Sequence, residues 1–171
     1  MSSTETAEEQ KLLEIYLQDH YAGSTGGLEL AKRTAKENEG TEFGGPLTRI
    51  AGEIREDRDV LKRIMGSLDV SPAPVKAGLA WAAEKAGRVK PNGQLRGYSP
   101  LARLLELEAL VTGVTGKLSL WRALQRVAPG EGRLDLHELE DRERRAQDQL
   151  AHLHELRDRA ATIAFSPPAS T

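Results

Sequence analysis

Acidic and histidine side chains that could bind a metal ion are spread over three segments of the sequence. The segment "EIREDRD" places Glu53 and Glu56 three residues apart, and Asp57 follows directly. Glu108 and His154 lie much further along the chain. Carboxylate oxygens together with an imidazole nitrogen suit iron or manganese. We therefore treat Glu53, Asp57, Glu108 and His154 as the candidate metal ligands.

The same acidic side chains also have an ordinary structural explanation. Arg55 and Arg58 lie within the same helical turns as the first acidic cluster, and Arg157 lies one turn from His154. Ion pairs between these groups at the surface of a protein would account for the residue types without any metal ion. Both explanations stay open at the level of the sequence.

His20 and Asp57 together suggest a second kind of chemistry, which is general acid–base catalysis. A histidine beside a carboxylate can act as a general base, with the carboxylate orienting the imidazole. A buried histidine and aspartate can equally satisfy each other as a purely structural pair. Neither a nucleophile motif nor a phosphate-binding glycine loop accompanies them in the sequence, so the structural explanation is favoured.

Long helices must position all of these residues. Leu, Ala, Glu, Arg and Lys dominate, and apolar residues recur every three or four positions. Asn38, Gly40 and Pro46 mark the end of one helix and the start of the next, and Ser99 with Pro100 begins another. The pattern predicts helices over residues 6–38, 46–68, 99–128 and 136–164, with a shorter helix from 71 to about 87.

The lengths of the connections predict how these helices pack. Short connections make the first and second helices antiparallel, and likewise the third and fourth. The stretch 69–98 is long enough to return along the whole bundle, which makes the second and third helices parallel. We therefore expect an all-α four-helix bundle with a short helix in its crossover, spanning residues 7–164 between disordered tails at 1–6 and 165–171.

This order of helices and connections resembles the ferritin-like superfamily. The resemblance implies a two-metal site with a Glu from each of two helices and a Glu-x-x-His motif from each of the other two. No glutamate of the chain has a histidine three residues later, so the sequence departs from that motif. Helices matched by height in such a bundle would still bring Glu53, Glu108 and His154 to one level.

Glycines interrupt the first and third predicted helices at positions that would lie side by side. Gly23 and Gly27 occupy the first helix, and Gly113 and Gly116 occupy the third. Each interior glycine costs about 1 kcal/mol relative to alanine. Close approach of the two helices is the simplest explanation, and a ligand cavity or a subunit interface are the alternatives. Under close packing, Gly27→Leu would destabilise the fold by roughly 1–3 kcal/mol.

Charged residues on the fourth predicted helix are spaced for pairing along its own surface. Glu138 precedes Arg142 by four residues, and Asp141 precedes Arg145 by four. Such pairs stabilise a helix by a few tenths of a kcal/mol each. The spacing predicts a solvated, charged outer face.

Three leucines fall outside the main apolar stripes of their helices and predict an exposed apolar surface. Leu28 lies in the first helix, and Leu105 and Leu110 lie in the third. Apolar side chains on the outside of a bundle commonly mark a protein–protein interface. We therefore expect a homodimer.

Composition excludes several classes of function. The 171 residues include no cysteine, which removes disulfides and thiolate chemistry, and the net charge of -2 disfavours a nucleic-acid-binding protein. No apolar run is long enough for a membrane span, and the polar start of the chain does not read as a secretory signal. We expect a cytoplasmic, non-enzymatic binding or scaffolding protein with an unknown ligand. The alternative is an iron or manganese protein with oxidase or iron-handling activity.

Overall fold

Four long helices form the protein, as the apolar spacing predicts. A computed structural model describes residues 3–72 and 98–166, with side chains from residue 7 onward. Every element in those ranges is helical, and the long helices begin and end within three residues of the predicted positions. They are α1 (Ser3–Glu37), α2 (Gly44–Ser67), α3 (Pro100–Val127) and α4 (Leu136–Phe165), with a single 3₁₀ turn at Ala128–Gly130 between α3 and α4.

Side-chain caps fix where α3 and α4 begin. The Ser99 hydroxyl accepts a hydrogen bond from the amide of Ala102 at 3.0 Å, and Pro100 occupies the first helical position. The Asp135 carboxylate accepts from the amides of His137 and Glu138. These oxygens satisfy amide groups that have no partner within the helix, so both starts are set by local sequence.

Contacts between the helices establish their directions. Near the end of α1, Arg33 pairs with Glu106 near the start of α3 at 2.8 Å, so α1 and α3 are antiparallel. Between α2 and α4, Arg63 pairs with Glu138, and the opposite ends of the same two helices meet through Glu42, just before α2. Arg122 near the end of α3 pairs with Glu143 near the start of α4 at 2.7 Å, so α3 and α4 are antiparallel as well. Because α4 is antiparallel to both α2 and α3, those two helices are parallel.

The parallel order places the two ends of the long connection far apart. The carbonyl of Ser71 accepts from Gln18, in the first half of α1, whereas the Tyr98 hydroxyl contacts Asn38, just beyond the end of α1. The segment between them therefore joins opposite ends of the bundle, which is what a lengthwise return requires. The short helix predicted at 71–87 and the tryptophan within it lie outside the described residues, apart from Ser71 and Pro72.

A cluster of polar side chains, which we call the Tyr98 junction, fastens the start of α3 to the end of α1. The Tyr98 hydroxyl donates to Glu106 at 2.8 Å and accepts from the Asn38 amide at 3.1 Å. Asn38 is fully buried, and its carbonyl oxygen accepts from Arg103. The Arg103 guanidinium also lies 4.5 Å from the centre of the Phe43 ring. Burial and the neighbouring Glu106 raise the pKa of Tyr98 above its usual value.

The core follows the predicted apolar stripe most closely on α2. All seven positions of that stripe are buried: Leu47, Ile50, Ile54, Asp57, Leu61, Ile64 and Leu68. On α4 the stripe ends sooner than predicted, because Ile163 is 43% exposed. Leu28 and Leu110, which the sequence suggested for a subunit interface, are instead buried within the chain, and Leu105 is half-buried. Their burial removes most of the apolar surface on which the dimer prediction depended.

No helix within residues 3–72 and 98–166 combines the length and apolarity needed to cross a lipid bilayer.

Candidate functional site

A buried carboxylate joins three helices at the centre of the bundle. Asp57 on α2 is 1% exposed, and its Oδ2 lies 2.5 Å from Nζ of Lys117 on α3. Its Oδ1 lies 3.3 Å from Nη1 of Arg142 and 3.4 Å from Nη1 of Arg145, both on α4. Both carboxylate oxygens therefore face protein cations, as a buried charge requires.

Gln149 on α4 extends this cluster to a second carboxylate. Its carbonyl oxygen accepts from the Lys117 ammonium, and its amide nitrogen donates to Glu53 at 2.9 Å. Burial lowers the pKa of Lys117, and the Asp57 carboxylate opposes that shift. The ammonium and the carboxylate are thus each other's main compensation, and we call these groups the Asp57 cluster.

The structure brings together only two of the four predicted metal ligands. Glu53 and Asp57 share the Asp57 cluster, but Glu108 and His154 are exposed. Across the described part of the chain, no three His, Asp or Glu side chains are grouped so that they could hold a metal ion. The physical reason is visible at Asp57, where the Lys117 ammonium lies in the position that a metal cation would need.

The arginines of α4 also differ from the surface pairs predicted for them. Arg142 and Arg145 pair with Asp57 on α2, and Arg145 pairs with Glu56 as well. An exposed pair along one helix contributes only a few tenths of a kcal/mol. A buried carboxylate without cations would cost several kcal/mol, so the arginines turn toward it.

A cavity of about 270 Å³ lies between α1, α2 and α3, directly beside the Asp57 cluster. Four helix-interior glycines contribute to its wall: Gly23 and Gly27 on α1, and Gly113 and Gly116 on α3. Within residues 3–72 and 98–166, a Cβ atom added at any of the four would meet no atom within 4 Å. The glycines therefore provide open space next to the backbone of the two helices.

This open space corrects the packing explanation of the glycines. The helices α1 and α3 are neighbours as expected, but their glycines do not bring the backbones into close contact. The cavity, which was one of the alternatives, is what the four positions have in common. The predicted overpacking by Gly27→Leu loses its basis, because a Cβ at this position meets no described atom and the side chain continues from the cavity wall.

Apolar side chains make up most of the rest of the wall. They come from all three helices and provide most of its surface, and seven polar or charged side chains line the remainder. A concave, largely apolar cavity with a few polar groups is the usual form of a small-molecule site. The apolar lining residues are Leu30, Ile54, Leu61, Ala109, Leu110, Val114, Leu120 and Trp121.

His20 lines the same cavity but does not pair with Asp57. Its ring packs edge-on against Tyr16, with ring centres 4.5 Å apart. Burial lowers the pKa of His20, and the nearby Asp19 carboxylate partly opposes this shift. Both oxygens of Asp57 are occupied by Lys117 and the arginines, so the predicted histidine–aspartate pair is absent from the described residues.

Two buried N–H groups of cavity-lining side chains have no hydrogen-bond partner within the described ranges. One is Nε of Arg58 on α2, and the other is Nε1 of Trp121 on α3. Arg58 does use another of its nitrogens to pair with Asp59 at 3.0 Å. The unpaired groups matter because a buried donor without an acceptor typically costs about 1–3 kcal/mol.

Sequence reasoning missed Lys117 and Gln149 as members of the central cluster. Gln149 lies three residues after buried Ala146 and four before buried Leu153, so it occupies the apolar stripe of α4. Asp57 occupies the stripe of α2 in the same way. A polar residue on the apolar stripe of each of two helices was therefore the signal in the sequence that could have indicated a buried polar cluster.

Comparison of the chain with protein-family models, curated proteins and solved structures gave no match.

Proposed function

We propose that this protein is a non-enzymatic binding module that holds one small, largely apolar molecule in the glycine-lined cavity. The observation that carries the proposal is the set of four interior glycines at which an added Cβ would meet no atom of the described residues within 4 Å. Each weakens its helix by about 1 kcal/mol relative to alanine. Close helix contact does not offset that loss, so the space itself is the feature that the glycines maintain.

The volume of the cavity limits the size of the ligand. An engineered apolar cavity of about 150 Å³ holds benzene, a molecule of six non-hydrogen atoms. By the same ratio, the cavity of about 270 Å³ suits a molecule of about ten or eleven non-hydrogen atoms. Naphthalene is a convenient neutral probe of that size.

Filling the cavity tests the proposal. We expect the wild-type chain to bind naphthalene with one-to-one stoichiometry and to melt at a higher temperature in its presence. Gly27→Leu and Gly113→Leu should each abolish both effects while the protein remains folded. Gly52→Leu is the matched control, because Gly52 is also inside a helix with open space at its Cβ but does not line the cavity. Equal naphthalene binding by all three variants would contradict the proposal.

The ferritin-like resemblance remains a proposal about the fold. The parallel order of α2 and α3 supports it, since one long crossover distinguishes that class from a simple up-and-down bundle. It is a proposal about connectivity alone, because the described residues carry no matching set of metal ligands. An experimental structure with residues 73–97 in place would test it.

Self-association and a cytoplasmic location also remain predictions. The lack of cysteine supports the location. For a homodimer, the remaining support is the exposure of Leu12 and Ile15 on α1, which are 63% and 46% exposed. Sedimentation at micromolar concentration should detect a dimer, and a monomer would remove this prediction.

A further inference from the structure

A lysine side chain forms part of the cavity wall. Lys117 on α3 lines the cavity together with its partner Asp57 on α2, and 13% of the Lys117 side chain is accessible. The α4 members of the Asp57 cluster, by contrast, do not line the cavity within the described residues. The Lys117 side chain therefore runs from its own helix to Asp57 along the wall, with α4 behind it.

The position of Lys117 differs from that of every other lysine in residues 3–72 and 98–166, because those others are exposed: Lys11, Lys32, Lys36 and Lys62. An ammonium has three N–H groups. Within the described ranges, Nζ of Lys117 has two acceptors, Oδ2 of Asp57 and the carbonyl oxygen of Gln149. One N–H group is left for a molecule in the cavity.

The surroundings of Lys117 also favour the neutral amine more than water does. Burial lowers the pKa of Lys117, and the Asp57 carboxylate opposes this shift without cancelling it. A neutral lysine amine is a nucleophile toward carbonyl carbon, and it is activated by an apolar site. Oδ2 of Asp57, at 2.5 Å from Nζ, is placed to accept the proton that the amine must lose.

We propose, on the basis of the binding function above, that the ligand is an apolar aldehyde that Lys117 captures as an imine. The ammonium gives a proton to Asp57, and the amine nitrogen then attacks the aldehyde carbon. A C–N bond forms while the C=O double bond opens, and the oxygen takes up a proton from the nitrogen. Asp57 returns its proton to the resulting hydroxyl, which leaves as water while the C=N double bond forms.

The overall change preserves the charge of the Asp57 cluster. An aldehyde and an ammonium give a protonated imine and one water molecule, so no oxidant or reductant is consumed. The positive charge stays beside Asp57, and the single N–H group of the protonated imine keeps that contact. The apolar body lies in the cavity, where exclusion of water slows hydrolysis of the imine.

Reductive trapping tests the capture step. The probe is 4-ethylbenzaldehyde, an apolar aldehyde of about ten non-hydrogen atoms. Sodium cyanoborohydride converts its imine into a stable amine, and peptide mass spectrometry locates the adduct. We expect labelling of Lys117 to exceed that of each exposed lysine at least about tenfold, because the bound aldehyde is held beside the amine. Excess naphthalene should block labelling at Lys117 and leave the exposed lysines unchanged.

A charge-preserving variant assigns the chemistry to the amine. Lys117→Arg retains a cation beside Asp57 but cannot form an imine, so the cavity adduct should be lost while naphthalene still binds. Lys62→Arg is the matched control on α2, because Lys62 is exposed and outside the cavity wall. The competition by naphthalene uses the wild-type chain, so it holds even if Lys117→Arg does not fold.

The outcomes distinguish the inference from the proposed function. In a protein that binds naphthalene, equal labelling of Lys117 and the exposed lysines overturns imine capture and leaves the binding function standing. Labelling of Lys117 that bound naphthalene does not block has the same consequence. Failure to bind naphthalene, together with no preference for Lys117, overturns both.

Discussion

The ammonium of Lys117 on α3 lies 2.5 Å from the carboxylate of Asp57 on α2, and this contact crosses the bundle between two parallel helices. Both side chains are almost completely removed from water, at 13% and 1% exposure. Lys117 depends on this contact for its closest carboxylate, and without Lys117 the Asp57 carboxylate would keep only the longer contacts to Arg142 and Arg145. It also forms one side of the cavity, so the stability of the bundle and the shape of the candidate site are linked.

Breaking the Lys117–Asp57 pair from one side should be much more harmful than removing it entirely. We expect Lys117→Met to lower the free energy of unfolding by about 3–5 kcal/mol, because Asp57 loses its closest cation. The double variant Asp57→Leu/Lys117→Met should be less destabilised than the sum of the single variants. Chemical denaturation of all three proteins measures the coupling, and strict additivity would contradict a mutually dependent pair.

Alanine at two glycines should have opposite effects. Gly27→Ala should stabilise the protein by about 1 kcal/mol, because alanine favours the helix and its Cβ meets open space. Gly44→Ala should destabilise it by roughly 1–3 kcal/mol, because its Cβ would lie 2.6 Å from the Asn38 carbonyl oxygen. Urea denaturation compares the two directly. Destabilisation by Gly27→Ala would mean that the helices pack closely there after all.

Removing the hydroxyl of the Tyr98 junction should loosen the start of α3. Tyr98→Phe leaves the Asn38 amide and the Glu106 carboxylate each short of one hydrogen-bond partner, and we expect a loss of about 1–3 kcal/mol. Hydrogen exchange should show the first turns of α3 becoming less protected while the centre of α3 is unchanged. A uniform loss of protection along the whole helix would argue against a local role for the junction.

His20 should make the protein less stable in mild acid. Its pKa is lowered in the folded state from the usual 6.5, so the unfolded chain binds a proton more readily. Its contribution to stability is therefore complete above pH 6.5 and is lost as the pH falls through the folded-state pKa. Between pH 7.5 and 5.5, His20→Gln should lose less stability than the wild type, whereas the exposed control His154→Gln should behave like the wild type. Parallel curves for all three proteins would contradict the assignment.

Local signals predicted the four helices well, and spatial relationships between helices account for the failures. Ser99 and Pro100 define a helix start through contacts within one turn, so that boundary follows from sequence alone. The glycines of α1 and α3 are equally compatible with close packing and with a cavity, because the distance between two helices is not encoded in either one. Only the arrangement of all three cavity-forming helices separates the two explanations.

The predictions that certain leucines lie on the outside of the bundle, and that the α4 arginines pair along their own helix, failed for related reasons. A single stripe underestimates the apolar face of α1, which contacts both α2 and α3 and therefore buries Leu28 as well. Arg142 and Arg145 have suitable acidic neighbours on their own helix, but pairing with buried Asp57 stabilises the fold more, because a buried carboxylate without cations is costly. Pair spacing along one helix carries no information about a carboxylate on another.

Part of the cavity wall is main chain and, under the proposed binding function, single substitutions there would change the size of ligand that fits. Substituting alanine or serine for a single lining glycine would remove roughly the volume of one methyl group without disturbing the helix or its neighbours. Because two such glycines lie on α1 and two on α3, the cavity can be narrowed in steps from the side of either helix. Under the same proposal, homologous chains with alanine or serine at 23, 27, 113 or 116 would accept smaller ligands on an unchanged scaffold.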